Sequence, residues 1–341
     1  MVIEARQVDD KQQWEDFIAS HEEANFLQSW MWGDVNEKLG KEVIRMGYFD
    51  GDSLVGAMIG VIEPARRGRY LAVAAGPIFD WSVRPIVDAW VESLKTIATE
   101  NDCVFVRVRP QLLSLDTNEQ TFKDLGFRPA KMHLEAELTS QLDLTKSIDE
   151  LNANLRKNTR REIKQAKKTG IKVTQFDDPS IVKEFYDMQL ATAERHGFVP
   201  FSYDRLQAEF DVFAETGNVL LYSSHTAQGE LIAQAFVIFY GKEASYHYGA
   251  STELGRTEPG AYLIQWKAIQ EAQRRGCTRY NFWGVVHPEE TKHRFYGVSV
   301  FKRGFRGEDV EYLHAHDLVV NKAKYLKNFA IETARKRSRK V

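Results

Sequence analysis

Along the first half of the chain, short runs of alternating apolar and polar residues are interleaved with longer stretches of helical period. The alternation predicts strands at residues 3–8, 43–48 and 54–62, with Asp50-Gly51-Asp52 as the turn joining the last two. Helical spacing predicts helices near 11–20 and 28–38. A third strand at 70–75, a long amphipathic helix at 83–99, a buried strand at 104–108, a short helix ending at Gly126 and a strand at 131–142 follow.

The second half repeats this order. Strands are predicted at 219–223, 231–240 and 244–250, then a helix at 262–274, a strand at 280–283 and a short helix near His293. Each long helix runs into a polar turn, a cysteine and an aromatic strand, as NDCVFVRVRP at 101–110 and RGCTRYNFWG at 275–284. A period of about half the chain means domain duplication and not a solenoid of short repeats; chance similarity of two α/β segments is the alternative. The expected division is residues 1–143 with 315–341, against 144–314. Between the halves, LNANLRKNTRREIKQAKKTG reads as one helix stopped by Gly170, and a last helix is predicted at 319–333 before a basic tail.

Composition narrows the setting. At 341 residues and 43% hydrophobic, the chain has enough apolar side chain for a substantial core and about two domains. Its start lacks a basic, then apolar leader, and no run approaches the roughly 20 apolar residues of a membrane span. Cys103 and Cys277 are too few for a disulfide framework or a thiolate zinc site, so a cytoplasmic protein without integral membrane contact is expected. The net charge of −2 conceals cations gathered at 156–168 and 335–340, which points to an anionic partner at a local patch.

Three groups of residues carry candidate chemistry. At about 100° per residue, Arg156, Lys157, Arg160, Arg161, Lys164, Lys167 and Lys168 share one helical face, with Leu155, Ile163 and Ala166 opposite. Repulsion along that face is relieved by a phosphate backbone, although a solvated lysine-rich face is the plain alternative. In VFKRGFRG at 300–307, Lys302 follows Phe301 beside two glycines, placed to stabilise negative charge growing on a carbonyl oxygen; a surface lysine in a glycine-rich hairpin is the competing reading. Trp30 and Trp32, Arg195 and Tyr203, and Tyr246 and Tyr248 suit a groove for a sugar, a base and phosphates, or else plain packing. No metal or cofactor motif accompanies them: there is no H-x-x-x-H pair with a glutamate, G-x-S-x-G elbow, Walker loop or G-x-G-x-x-G turn.

Taken in order, FLQSWMWGDV, LRKNTRREIKQAKKTGIKV, TAERHGF, GAYLIQWKAI, YNFWGV and FKRGFRG resemble the Fem-type (FemABX) peptidoglycan aminoacyltransferases across essentially the whole chain. The resemblance implies an α/β fold of two tandem acyl-CoA N-acyltransferase-like lobes, each a mixed sheet flanked by helices. Nothing between 171 and 306 supplies the family's coiled-coil arm, so the compact FemX type is the nearer match. It further implies a monomer, without cofactor, that transfers an aminoacyl group from aminoacyl-tRNA to the side-chain amine of the stem peptide of UDP-MurNAc-pentapeptide. Phe301 and Lys302 match the family's catalytic pair. Arg195, Tyr203 and Tyr248 are the candidate nucleotide-sugar contacts, with Tyr246 and Trp32 in the same substrate groove. Arg156, Arg160, Arg161, Lys164 and Lys167 are the candidate tRNA contacts.

Two positions depart from the pattern: Asp34 stands where a basic residue is frequent, and Arg109 where an acidic residue precedes the proline. Coenzyme A is disfavoured because ELGRTEPGAY lacks the pyrophosphate-cradling turn. A lipid-linked acceptor, a protein amino terminus, and a non-catalytic RNA-binding scaffold are the alternatives. The attacking amine must lose a proton, and no residue of the sequence identifies itself as the base.

Overall fold

The computed structural model describes residues 2–65 and 68–339, which form two compact units, 1–137 with 311–341 and 138–310. In the first unit, β1 (Ile3–Gln7), α1 (Lys11–Ala19), α2 (Trp30–Lys38), β2 (Glu42–Asp50), β3 (Ser53–Glu63), β4 (Tyr70–Ala74), β5 (Ile78–Phe79), α3 (Arg84–Glu100), β6 (Phe105–Arg109), α4 (Asp116–Asp124) and β7 (Arg128–Pro129) follow in order. The second unit holds β8 (Leu138–Asp143), α5 (Ile148–Asn154), α6 (Lys157–Lys168), β9 (Lys172–Phe176), α7 (Val182–His196), α8 (Tyr203–Ala214), β10 (Val219–His225), β11 (Leu231–Tyr240), β12 (Glu243–Ser251), α9 (Gly260–Arg274), β13 (Arg279–Gly284), α10 (Tyr296–Arg303) and β14 (Glu308–Glu311). The chain then returns to the first unit with β15 (His316–Val319) and α11 (Lys322–Arg339).

The sheets share one plan. The first runs β1-β2-β3-β4-β6-β15-β7, with β5 on β3, and the second runs β9-β10-β11-β12-β13-β8-β14. Reading from β1 and from β9, the first three pairings are antiparallel, the fourth is parallel and the fifth is antiparallel in both. In each unit the strand beside the parallel pair comes from the segment that follows the other unit's last strand: β15 follows β14, and β8 follows β7.

Duplication reaches atomic detail at the two cysteines. The Cys103 N–H bonds to Ala98 O (2.8 Å) and the Cys277 N–H to Ala272 O (3.0 Å), closing α3 and α9 with the same six-to-one bond. Each follows a left-handed residue, Asp102 (φ 53°) and Gly276 (φ 81°). The cysteines themselves are buried against their cores, and burial raises both thiols to about 11.

Several expected boundaries move. The units divide at 137/138 and 310/311, not 143/144 and 314/315, because β8 pairs with β13 while Tyr312 N–H bonds to Glu137 O and Leu313 N–H to Leu112 O. The expected strand at 131–142 is regular only from Leu138, and the short helix placed near His293 begins at Tyr296. The single helix expected between the halves is two, α5 and α6, separated by extended backbone at Leu155 and Arg156. A capping box of Ser147 and Glu150 starts α5. Helices α7 and α8 had not been anticipated, although Gly197 closes α7 in a left-handed conformation and Ser202 caps α8. The last helix starts at Lys322, since residues 316–319 are strand β15; the side chains from Arg335 onward, part of the basic tail, lie outside the described residues. Among the described residues no helix is long and apolar enough to cross a membrane, and no coiled-coil arm is present.

Candidate active site

The second unit opens at its parallel strand pair. Residues Glu243–Ser245 of β12 pair with Arg279–Asn281 of β13, yet β12 continues to Ser251 and β13 to Gly284, so the two strands part and leave a wedge. In the first unit β4 stays paired with β6 up to Arg109, the last residue of β6, and no such opening forms. Both walls of the wedge are distorted. His247 is an extra residue in β12, where the register across from Phe236 and Val237 jumps from Tyr248 to Tyr246. Trp283 on β13 has φ 61°, a left-handed backbone costing a bulky residue on the order of 1–3 kcal/mol.

Helix α10 delivers Lys302 to this opening. Contrary to the expected glycine-bounded turn, Phe301 and Lys302 lie in the last helical turn before Gly304. The Ser299 hydroxyl accepts the Val286 N–H (2.9 Å), and Arg303 pairs with Asp309 and donates to Val286 O (both 2.6 Å), fastening the helix beside the end of β13. The Lys302 side chain is thereby buried, its Nζ donating to Gly284 O (2.8 Å) and lying 5.5 Å from the Tyr246 ring centroid. Burial pushes its ammonium down to about 7 and raises the Tyr246 phenol to about 12. Phe301 packs on Tyr262 (4.8 Å) and Phe305 (5.6 Å).

The basic helix begins at the same place. Arg156, its N-cap, donates its N–H to Gly304 O (3.1 Å), and a Cβ at residue 304 would collide with the Thr159 hydroxyl, so only glycine permits this approach. Thr159, Ile163 and Ala166 face the core; Lys157, Arg161, Lys164, Lys167 and Lys168 are exposed. Two of the expected tRNA contacts are engaged within the fold. Arg156 is half-buried beside Gly304, and Arg160 donates to Ala153 O and Leu155 O (2.5 and 3.0 Å), closing the end of α5.

On the opposite sheet face lie α7 and α8. Phe185 and Phe210 meet Phe236 there, whereas Tyr246 and Phe301 pack with the α6 and α9 side. Tyr248 joins Phe201 (4.8 Å) and donates to Glu209 (3.1 Å). Arg195 donates to Ser251 O and to Thr192 and pairs with Glu253 (3.1 Å). Tyr203 turns to Gln207 (2.7 Å) and the Tyr186 ring, so it does not join the Tyr248 group through any contact of its hydroxyl. The sequence reading missed Glu209 and His247. Glu209 is fully buried on α8, at 2.8 Å from Arg205 and 3.2 Å from His247 Nε2. Burial alone would raise this carboxyl, but His247 and Arg205 outweigh it and hold it below its ordinary value. No pattern in the sequence marks either residue, since the sequence reading predicts neither α8 nor the bulge in β12.

Trp32 belongs to the first unit and is core, edge-on to Phe26 at 5.6 Å, instead of lining a groove. Asp34 is held by Arg45 (2.6 Å), which stacks over Trp30, and by Lys11 (3.8 Å). Arg109 is buried, donating to Gln111 and Pro110 O and lying 5.3 Å from the Tyr312 ring. No His, Cys, Asp and Glu group suited to a metal occurs among the described residues.

Two like-built mixed sheets, one splayed around a buried lysine, make a tandem N-acyltransferase-like fold. The chain belongs to the FemAB family, whose model matches residues 10–228 and 220–333. It is 20% identical to the Lipid II:glycine glycyltransferase of Staphylococcus epidermidis, over 92% of each chain, and 23% identical to the aminoacyltransferase FemA of Staphylococcus aureus, over 79% of this chain and 84% of that one. Among solved structures, FemX superposes with a TM-score of 0.84 at 18% identity, over 95% of this chain and 99% of that one. A tandem GNAT protein from the clavulanic acid biosynthesis pathway superposes at 0.58 with 12% identity, over 93% and 98%. The protein is accordingly an aminoacyltransferase in class.

Proposed function

We propose that the protein transfers an aminoacyl group from aminoacyl-tRNA to the side-chain amine of the stem peptide of UDP-MurNAc-pentapeptide, a step in building peptidoglycan cross-bridges. The observation that carries this reading is the abutment of α6 on α10. A row of exposed cations fit for a phosphate backbone starts at the turn that brings Lys302 into the wedge. The 3′ aminoacyl ester then enters from the α6 and α9 face, and the acceptor from the face of α7 and α8, where Arg195 and Tyr248 lie.

In this reading the acceptor amine attacks the ester carbonyl, and Lys302 stabilises the tetrahedral oxyanion. The ester is already activated, so positioning and charge stabilisation carry the reaction without a covalent enzyme intermediate. Phe301 lines the approach to the aminoacyl end, while Tyr246, kept protonated by burial, stays a neutral wall beside the ammonium.

A lipid-linked acceptor is the second reading. It is favoured by the similarity to a lipid II glycyltransferase and by Asp34, which Arg45 and Lys11 hold where the family frequently offers a cation. The two are separated by measuring kcat/KM for UDP-MurNAc-pentapeptide and for the lipid-linked precursor in detergent micelles, with the same charged tRNA. A preference of roughly tenfold or more for the soluble acceptor is expected; a preference of that size for the lipid-linked one replaces the acceptor named here.

A further inference from the structure

The transfer reaction leaves one proton without a destination. A side-chain amine reaches the site as an ammonium at neutral pH and attacks only after losing a proton, and in the first unit the residue before Pro110 is the buried cation Arg109. At the wedge itself, however, stands a carboxylate–imidazole pair that the reading above does not use. Glu209 is fully buried, and its carboxylate lies 3.2 Å from His247 Nε2. Arg205 (2.8 Å) and the Tyr248 hydroxyl (3.1 Å) fix the same carboxylate from two other directions.

The bulge in β12 gives this pair its place. By inserting His247 between the paired Tyr246 and Tyr248, it lays the imidazole against the Tyr248 ring (3.9 Å between centroids) and edge-on to Trp283 (5.4 Å). Trp283 precedes Gly284, whose carbonyl holds Lys302. Consecutive residues of β13 therefore touch the imidazole on one side of the opening and the ammonium on the other.

Resting on the transfer reading, we propose that His247 accepts the proton of the attacking amine, with Glu209 as the residue that positions its ring. A carboxylate on one ring nitrogen sets the tautomer and stabilises the imidazolium formed at the other. His247 takes one proton from the bound ammonium. The freed amine nitrogen bonds to the ester carbon, and the carbonyl π electrons move to the oxygen facing Lys302. The oxyanion collapses, the bond to the tRNA 3′ oxygen breaks, and that oxygen leaves as a hydroxyl with the second proton lost by the nitrogen. The imidazolium gives up its proton to solvent once the products leave, so one proton is released and one moves from nitrogen to the 3′ oxygen, with no other reactant.

His247→Asn and Glu209→Gln test the assignment; the glutamine keeps an oxygen for Arg205 and Tyr248 and so preserves the packing. With charged tRNA and UDP-MurNAc-pentapeptide, each variant is expected to lose about 10²- to 10⁴-fold in kcat, while both KM values stay within roughly threefold. An acceptor carrying an aminooxy group in place of the amine is already neutral at pH 7 and should recover most of the loss. Folded variants within threefold of wild-type kcat, or a loss equally deep with the aminooxy acceptor, overturn the assignment. The wild-type enzyme gives a check independent of variants: a solvent deuterium isotope effect on single-turnover transfer with the amine acceptor and none with the aminooxy acceptor supports the proposal, and no effect with the amine refutes it. Wild-type enzyme that transfers to neither acceptor rejects the transfer reading itself, an outcome distinct from active enzyme with indifferent variants.

Discussion

Lys302 shows what a residue pays for its position. A lysine whose ammonium is pushed down to about 7 has released, between that pH and 10.5, a proton that the unfolded chain still holds. Its burial therefore costs stability in full below about pH 7, and the cost fades as pH rises toward 10.5. Lys302→Met should accordingly stabilise the fold by on the order of a few kcal/mol at pH 6, and by progressively less toward pH 10, measured by urea unfolding. The same variant should lose roughly 10²–10³ in turnover, the loss associated with one oxyanion donor. The ratio of wild-type to Lys302→Arg kcat/KM should fall as pH rises through about 7, since the arginine keeps its charge while deprotonation of the acceptor amine affects both enzymes alike. A ratio that climbs through this range would mean that Lys302 acts as the neutral amine. Among single residues, the motif singles out Phe301 and Lys302 as candidates, and Lys302 stands at the opening between β12 and β13. Glu209 and His247 are not singled out, because residues 38 positions apart meet only through a bulge and a helix that alternation does not announce.

At the scale of elements, α6 was read correctly as a basic face over a small apolar stripe, since periodicity reports faces directly. Its start was misplaced because Leu155, buried like Ile163, continues the apolar pattern through a break in the backbone. That error changes the experiment. Reversing Arg160 would also disturb the end of α5, whose carbonyls it binds. Lys164, Lys167 and Lys168 are exposed, so their joint replacement by glutamate isolates the electrostatic term. The triple variant should weaken charged-tRNA binding at least tenfold at about 0.1 M salt and reduce the log–log salt slope by about three. Binding with unchanged affinity and slope would place the tRNA elsewhere. The Phe301–Lys302 turn was misjudged for a related reason: glycines at 304 and 307 read as a hairpin, whereas Gly304 ends a helix and admits the N-terminus of another.

Across the whole molecule, duplication was legible because each copy repeats a helix, a capped turn, a cysteine and an aromatic strand. The return of residues 315–341 to the first unit was expected, but the pairing of β8 in the second sheet and the strand at β15 were not, since pairing between segments so distant leaves no local period. Like sheet plans, with one splayed strand pair among the described residues, are why we propose the chemistry for the second unit. The most direct test is a single-turnover assay of purified protein with a panel of charged tRNAs and UDP-MurNAc-pentapeptide, read by mass spectrometry of the acceptor. The account predicts an acceptor heavier by one aminoacyl residue on its side-chain amine, formed by wild-type protein and at least a hundredfold more slowly by Lys302→Ala. Tight binding of charged tRNA with no mass gain on either the soluble or the lipid-linked acceptor would contradict it.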